Sequence, residues 1–537
     1  MPTGQFPTRA RRRRALRALA TLGVAGTAAL AAQPVSAVGA PRLFQDEPRQ
    51  QPCSSEHAAA PGGEWASYGH DPANSRTQPA ETTLTGARAA SLTPAWTFAL
   101  SSVNDAGQIN STPLAVDGCV FVTASNGGVY ALDAATGRLI WRRVISVATP
   151  GLGGAIVGGA AVHDDRVYAL VDETGNGITG PHVVALDEHS GRVVWTSKPI
   201  STAAGYYTNA TPQVIGDVVF AGFSPPEGDS TGQGGFALLS TGTGRIVTVT
   251  PTITPAHQAQ GFAGGGLWST PAWDPRSGFA YIGAGNPYSK DREDEHVNAI
   301  LKIDMRDESA TYGEIVAAYK GNVDQYTAAL QTLSHTPVCS ATGGVPDPLD
   351  QPACGQLDLD FGAAPNLFQV NGRTVVGDLQ KSGVYHVADA GSMQPVWNAI
   401  VGATCQACNA ASTAFDGSSI VGESTPGGAV FALQRDSGAR NWLTPNGDGV
   451  HYQAFSTAAG VAYTLDTLGF FDAWDAATGR PLLHRPMSAD VQFPTASLTS
   501  GGIAIAYHTV YVGASSEASP ANPQSGGGYV IAYRAAP

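Results

Sequence analysis

The sequence predicts an all-β fold, a single eight-bladed β-propeller of four-stranded antiparallel blades. Three observations predict it. One strand–turn–strand unit recurs along most of the chain. Successive units are spaced for four strands and their loops. One unit lacks the turn that should precede its last strand. The composition fits this class. With 65 Gly, 36 Pro and 14% charged residues in 537, the chain is too rich in breakers for a helical bundle or coiled coil. Apolar residues recur too often for a disordered chain. A net charge of −13 argues against nucleic acid as a partner.

Residues 1–37 read as a signal peptide. Arg9, Arg11 to Arg14 and Arg17 form a basic start, Ala18 to Ala32 a mildly apolar stretch, and Val35-Ser36-Ala37 a small-residue cleavage site. A membrane helix needs about 20 apolar residues, so this stretch is too short for an anchor, and no later stretch looks transmembrane. Arg13-Arg14-Ala15-Leu16 ahead of a weak apolar run is compatible with twin-arginine export; an ordinary secretory signal is the alternative. Either route makes the mature chain an exported one, secreted, periplasmic or at the cell surface. Residues 38–60 are expected to form a disordered leader and residues 61–537 the propeller. Cys53, Cys119, Cys339, Cys354, Cys405 and Cys408 all lie beyond the cleavage site, and an even number in an oxidising compartment predicts disulfides. The favoured pairs are Cys339–Cys354 and Cys405–Cys408, leaving Cys53–Cys119. Asn409, not His, follows Cys405-Gln-Ala-Cys408, which argues against a covalent haem.

Three copies of the repeat are plain. They are Val129-Tyr-Ala-Leu-Asp133-Ala-Ala-Thr-Gly137-Arg-Leu-Ile-Trp141, Val184-Ala-Leu-Asp187-Glu-His-Ser-Gly191-Arg-Val-Val-Trp195 and Val430-Phe-Ala-Leu-Gln434-Arg-Asp-Ser-Gly438-Ala-Arg-Asn-Trp442. Each Asp can accept N–H bonds within its own turn, and each Gly supplies a positive φ. The Trp then lands at a fixed place on the returning strand, where it is expected to pack blade against blade. Degenerate copies run from Ser240 to Gly244 with Thr248 in the Trp place, Asp304 to Glu308 with Tyr312, Asp389 to Met393 with Trp397, and Asp475 to Gly479 with Leu483. An eighth Trp, Trp96, has no turn before it. A blade shared by the two chain ends accounts for this, because joining the ends closes the ring.

Between the repeats, the stretch at about 319–356 is polar, Pro-rich and holds two Cys; it reads as an insertion loop over one face. His57, His70 and His257 stand isolated and read as surface or loop residues. The run Asp291-Arg-Glu-Asp-Glu-His296 reads as a solvated loop.

The tandem Ala-Leu-Asp-Ala-Ala-Thr-Gly-Arg-Leu-Ile-Trp resembles the repeat of pyrroloquinoline-quinone (PQQ) dehydrogenases, over nearly the whole exported chain. Glu64 to Arg76 resembles the start of their catalytic domains. Gly264-Gly-Gly-Leu-Trp268 followed by Tyr281-Ile-Gly-Ala-Gly-Asn286 resembles their quinone floor and calcium-binding segment. The resemblance implies Trp268 under the planar quinone and Asn286 on the calcium ion, and both roles are chemically apt for a flat ring and an amide oxygen. Asp358-Leu-Asp360-Phe361 and Gln380-Lys381 resemble the segments carrying the catalytic Asp and a quinone-contacting Lys or Arg. Asp360 would then be the base and a second metal oxygen, and Lys381 would stabilise the reduced quinone. A further metal ligand would be Glu173 or Asn176, according to how the segments align. The wording around Asp360 and Lys381 resembles most the polyvinyl-alcohol dehydrogenase branch. Three features depart from the family's pattern: no adjacent Cys pair occurs, Asn176 stands at the family's Glu calcium ligand unless a gap brings Glu173 there, and no fused cytochrome domain is expected.

The reading these residues support is a PQQ- and calcium-dependent dehydrogenase of an alcohol, polyol or polymeric alcohol that passes electrons to a separate carrier. The alternative is a cofactor-free propeller acting as a binding or assembly scaffold. A hydrolase or lyase finds no nucleophile motif in support.

Overall fold

The repeat folds as its turn residues dictate. Asp133 accepts hydrogen bonds from the N–H of Ala135 (3.1 Å) and Thr136 (3.0 Å) and from the Thr136 hydroxyl (2.8 Å). Gly137, at φ +71°, then reverses the chain. The computed structural model describes residues 52–53, 62–109, 111–145, 158–172, 180–289, 293–321, 359–402, 409–425, 428–445, 453–491, 502–516 and 527–536.

These residues form eight antiparallel four-stranded sheets. Strand β1 (Leu92–Ala99) comes first in the chain. Blade 1 holds β2 (Leu114–Val116), β3 (Cys119–Thr123), β4 (Gly128–Asp133) and β5 (Leu139–Val144). Blade 2 holds β6 (Ala160–His163), β7 (Arg166–Val171), β8 (His182–Asp187) and β9 (Val193–Thr196). Blade 3 holds β10 (Gln213–Ile215), β11 (Val218–Phe223), β12 (Gly235–Ser240) and β13 (Ile246–Pro251). Blade 4 holds β14 (Ala272–Asp274), β15 (Phe279–Gly283), β16 (Ala299–Asp304) and β17 (Ile315–Lys320). Blade 5 holds β18 (Asn366–Val370), β19 (Arg373–Gln380), β20 (Val384–Asp389) and β21 (Pro395–Ile400). Blade 6 holds β22 (Ala414–Phe415), β23 (Ser419–Ser424), β24 (Ala429–Gln434) and β25 (Arg440–Pro445). Blade 7 holds β26 (Ser456–Ala458), β27 (Val461–Leu465), β28 (Phe470–Asp475) and β29 (Pro481–Pro486). Blade 8 holds β30 (Ile503–Ala506), β31 (Thr509–Ser516) and β32 (Gly527–Ala535), and β1 completes it. Leu92 pairs with Ala535 and Ala99 with Tyr529, so the two chain ends share a blade, as the missing turn implies.

Neighbouring blades are joined by the repeated Trp. The indole N–H of Trp96, Trp141, Trp195, Trp397 and Trp442 donates to the carbonyl of Ala134, Glu188, Thr241, Arg435 and Ala476 in the next blade's turn, at 2.7–3.1 Å. The ring lies against that turn's glycine. A Cβ on Gly137, Gly191, Gly244, Gly438 or Gly479 would stand 2.4–2.5 Å from a Trp ring atom. Two interfaces, both at blade 4, depart from the Trp–Gly pair. Thr248 faces Gly313 between blades 3 and 4. Between blades 4 and 5, Ala317 packs with the cluster containing Met393, which occupies the glycine place at φ +56°. Ala317, not Tyr312, thus takes the Trp place in blade 4: it pairs with Lys302, and the turn runs on to Gly313, whose N–H reaches Asp304 O at 2.7 Å. The longer turn shifts the register that spacing alone suggests.

A second girdle lies inside the first. The segment Gly63–Gln78 hydrogen-bonds in turn to Tyr507, Ala115, Val162, Trp273, Leu367, Phe415 and Thr457, which belong to blades 8, 1, 2, 4, 5, 6 and 7. At its end Arg76 is wholly buried. Its guanidinium donates to Phe455 O (2.6 Å), Ser456 Oγ (3.0 Å), Ile503 O (3.3 Å) and Tyr68 O, and lies over the Tyr68 ring. Burial pulls it down to about 10, so it is charged at neutral pH.

Other expectations divide. Cys53 and Cys119 form a disulfide, with Cα atoms 5.3 Å apart; the pairs Cys339–Cys354 and Cys405–Cys408 lie outside the described residues, as do His57, the signal peptide and most of the leader. Tyr319 and Lys320 belong to β17, and residues 322–358, which hold the rest of the expected insertion, lie outside the described residues. The run at 291–296 is not simply solvated. Asp294 is buried, Glu293 faces Lys320 Nζ at 3.0 Å, and Lys320 also donates to the carbonyls of Asp294 and Val297. Nor is His257 isolated, because its Nδ1 lies 2.6 Å from Asp294 Oδ2. Buried loop carbonyls need donors, and Lys320 supplies them. Among the described residues no helix is long and apolar enough to cross a membrane.

Two predictions follow from this packing. Gly438→Met should cost about 2–4 kcal/mol, from overpacking against Trp397 and a strained φ. Adding Trp397→Ala should recover at least half of the loss, as Ala317 with Met393 already does; denaturant midpoints of the three variants decide this. The second concerns Asp378, which is buried, with Oδ1 accepting from Leu379 N at 2.8 Å and Oδ2 unpartnered. Burial raises its pKa well above the ordinary 3.8. The fold therefore keeps a proton that the unfolded chain releases above about pH 4, and stability falls as the pH rises from there. Asp378→Asn should be more stable than the parent at pH 7, with the gain vanishing towards pH 4. Equal melting temperatures at pH 7 would mean that the carboxyl is ionised in the fold.

Candidate active site

Glycines bring the first two site residues together. Gly264 and Gly265 adopt φ +105° and +68°. With no Cβ, their backbone lies flat against the Asn286 segment: a Cβ on Gly264 would be 2.3 Å from Asn286 O. Gly265 N–H donates to Asn286 O (3.0 Å), Gly285 N–H to Gly266 O (2.8 Å) and Tyr288 N–H to Ala263 O (2.9 Å). Trp268 and Asn286 are thereby held side by side, on the loops entering β14 and leaving β15.

Blade 5 supplies the facing wall. Asp360 precedes β18 and Lys381 follows β19. Lys381 N–H donates to Asp360 O at 3.1 Å, and its Nζ lies 2.7 Å from Asp360 Oδ1. The same ammonium stands 5.3 Å from the Trp268 ring centroid. Gly362 packs on the indole, since a Cβ there would be 2.2 Å from Trp268 Cη2. Asp360 and Asn286 are buried, and Trp268 is half-buried. Behind Asp360, Phe361 meets His386 edge-on at 5.4 Å. Burial takes His386 down to about 3, so that ring is neutral; one nitrogen lies 3.0 Å from Gln380 Oε1 and the other 3.0 Å from the Tyr319 hydroxyl.

Trp268, Asn286, Asp360 and Lys381 line one cavity. The sequence reading missed its remaining wall, which comes from blade 3 and its flanking loops: Tyr207, Asn209, Ser224 and Glu227. Tyr288, two residues beyond Asn286, also lines it. Burial first, then the charges of Glu227, Asp360 and Asp172, push the Tyr207 hydroxyl up to about 12. It is therefore a hydrogen-bond donor at neutral pH. Glu173 and Asn176 lie outside the described residues. Their neighbour Asp172 is buried, accepts from Thr208 N–H at 2.6 Å and acts on Tyr207. Among the described residues no three His, Cys, Asp or Glu side chains are grouped to hold a metal. The cavity's oxygen donors are instead a mixture of carboxylates, amides and hydroxyls.

A family profile described as "Outer membrane protein assembly factor BamB" matches residues 80–286. The quinoprotein ethanol dehydrogenase of Pseudomonas putida is 29% identical over 233 residues, which cover 36% of this chain and 36% of that protein. The polyvinylalcohol dehydrogenase of a Pseudomonas species is 28% identical over 246 residues, covering 42% of this chain and 36% of that one. The chain thus spans about a third of the length of these curated relatives. A quinohemoprotein alcohol dehydrogenase from Comamonas testosteroni has the same fold, with a TM-score of 0.64 at 16% identity over 89% of this chain and 81% of that one. In its repeat, its eight-bladed ring and these matches, the chain is similar to the β-propellers of quinoprotein alcohol dehydrogenases.

Proposed function

We propose that the chain is an exported oxidoreductase that uses PQQ and calcium to oxidise an alcohol, polyol or polymeric alcohol, and passes the electrons to a separate carrier. One observation carries this reading: Trp268, Asn286, Asp360 and Lys381, drawn from separate motifs, line a single cavity. The donor set fits the two groups. A half-buried indole offers a flat apolar wall for a fused-ring quinone. The carboxylate of Asp360 and the amide of Asn286 are hard oxygen donors of the kind Ca²⁺ takes, and Glu227 adds a second carboxylate to the cavity. Glu173 or Asn176 remains the candidate for a further ligand.

When bound, PQQ would supply a two-electron acceptor and Ca²⁺ a Lewis acid. The chain's own residues do the rest. Asp360 takes the hydroxyl proton of the substrate at a carboxylate oxygen. Lys381 sets a positive charge against that carboxylate and against any negative charge that develops beside Trp268. Tyr207 donates a hydrogen bond into the cavity. Burial of Asp360 beneath Trp268 and Gly362 keeps bulk water from the proton transfer.

The scaffold reading has its own support in the description of the matched family profile and in the Lys381–Asp360 pair, which neutralises the base. Reconstitution separates the two. The purified protein loaded with PQQ and Ca²⁺ should show bound-quinone absorbance and reduce a dye with alcohols; no calorimetric heat for either group up to millimolar concentration would leave the scaffold. Asp360→Asn should lower turnover by about 10²–10⁴-fold, the usual worth of a general base, while the protein still melts cooperatively. Trp268→Ala should weaken PQQ binding by about tenfold or more through loss of the stacking face. EGTA should abolish dye reduction and added Ca²⁺ restore it.

A further inference from the structure

The two walls of the cavity are tied together from the inner girdle. Asn74 is 1% exposed and sits at φ +52°, where its short amide side chain reaches its neighbours. Its Nδ2 donates to Thr270 O at 3.0 Å, two residues beyond Trp268. Its own carbonyl accepts from Asn366 Nδ2 at 2.6 Å, six residues beyond Asp360. Asn366 is itself fixed, because its Oδ1 accepts from the Tyr385 hydroxyl at 3.1 Å and the Thr413 hydroxyl at 2.5 Å. Flanking bonds follow the same two paths. Pro72 O accepts from Trp273 N at 2.6 Å, on the Trp268 side, and Ala73 O from Leu367 N at 2.9 Å, on the Asp360 side. The Tyr68 hydroxyl donates to Ser412 Oγ at 2.8 Å, and Ser412 Oγ accepts from Ala364 N at 2.8 Å.

We propose that Asn74 is a positioning residue for the candidate site. It does not line the cavity, yet a single side chain and its own carbonyl span the two segments that carry Trp268 and Asp360. Buried bonds to main-chain atoms leave those segments little freedom to part. The placing of the indole against the blade 5 wall, and with it the shape of the cavity they line, is therefore set by a residue of the segment Gly63–Gln78. The quinone reading supplies only the identity of a ligand for that cavity; the tie itself is independent of it.

Asn74→Gly tests this, because glycine keeps the positive φ and removes only the amide. Amide hydrogen exchange should quicken by about tenfold, the worth of one buried hydrogen bond, in peptides covering 266–272 and 359–366 together. Strands of blades 1, 6, 7 and 8 should exchange as in the parent. The PQQ dissociation constant should rise by about tenfold. Asn366→Ala should do the same, and the double variant should add little to either single one, because both break one tie. Exchange that quickens evenly around the ring, or two single effects on PQQ affinity that add in full, would mean that Asn74 merely stabilises the propeller and would overturn the proposal. If the parent protein binds no PQQ, the quinone reading fails, and the exchange pattern alone judges the tie.

Discussion

The contact between an indole in one blade and a turn glycine in the next is the constraint on which the ring depends. It combines a hydrogen bond to a buried carbonyl with a face that only a residue lacking Cβ can meet. Because each turn is built from its own blade's residues, most often an Asp and a Gly, a blade presents a donor surface at one edge and a receiving surface at the other. Such an interface is head-to-tail, and head-to-tail contacts end only by closing. At the joint of Ala317 and Met393 the arrangement is reversed, with the small residue on the strand and the large one on the turn.

Three joints lack a Trp: Leu483 takes its place in blade 7, while Thr248 with Gly313 and Ala317 with Met393 both flank blade 4. Blade 4 also carries Trp268 and Asn286 at its mouth, and blades 3 and 5 carry the rest of the cavity. The part of the ring that departs most from the repeat is thus the part with chemistry in it. A functional loop set places its own demands on the strands beneath, and local regularity yields there first. The inner girdle offsets this. The bonds from Pro72, Ala73 and Asn74 reach blades 4 and 5, where the outer joint is lightest.

The ring was legible because its period is written in side chains that do one job each: Asp for the turn, Gly for the positive φ, Trp for the joint. The missing turn before Trp96 sufficed to place the shared blade. Register inside a lengthened turn was not legible, and Tyr312 stands where spacing alone expects a joint residue while Ala317 does the work. Of the candidate site, the family resemblance singled out Trp268, Asn286, Asp360 and Lys381, and the four line one cavity. Tyr207, Asn209, Ser224 and Glu227 were not legible. They come from two loops around blade 3 with no shared spacing, and only the curvature of the ring turns them toward one space. His257 and Asp294 likewise meet through loop geometry that neither residue's own surroundings announce.

The pairing of Leu92 with Ala535 makes β32, the last of the described strands, the partner of β1, the first of them. Closing a loop of that length costs entropy that grows slowly with size, yet nothing rewards it until both ends are present. A nascent chain can stack blades one on another but holds an open arc, with β1 and its edge unpaired, until β32 has been made. An arc of this kind exposes strand edges to other chains. The molecule therefore has to be kept from its neighbours until β32 arrives. That requirement bears on when it can be moved between compartments and on how far a tag or truncation at Ala535 would be tolerated.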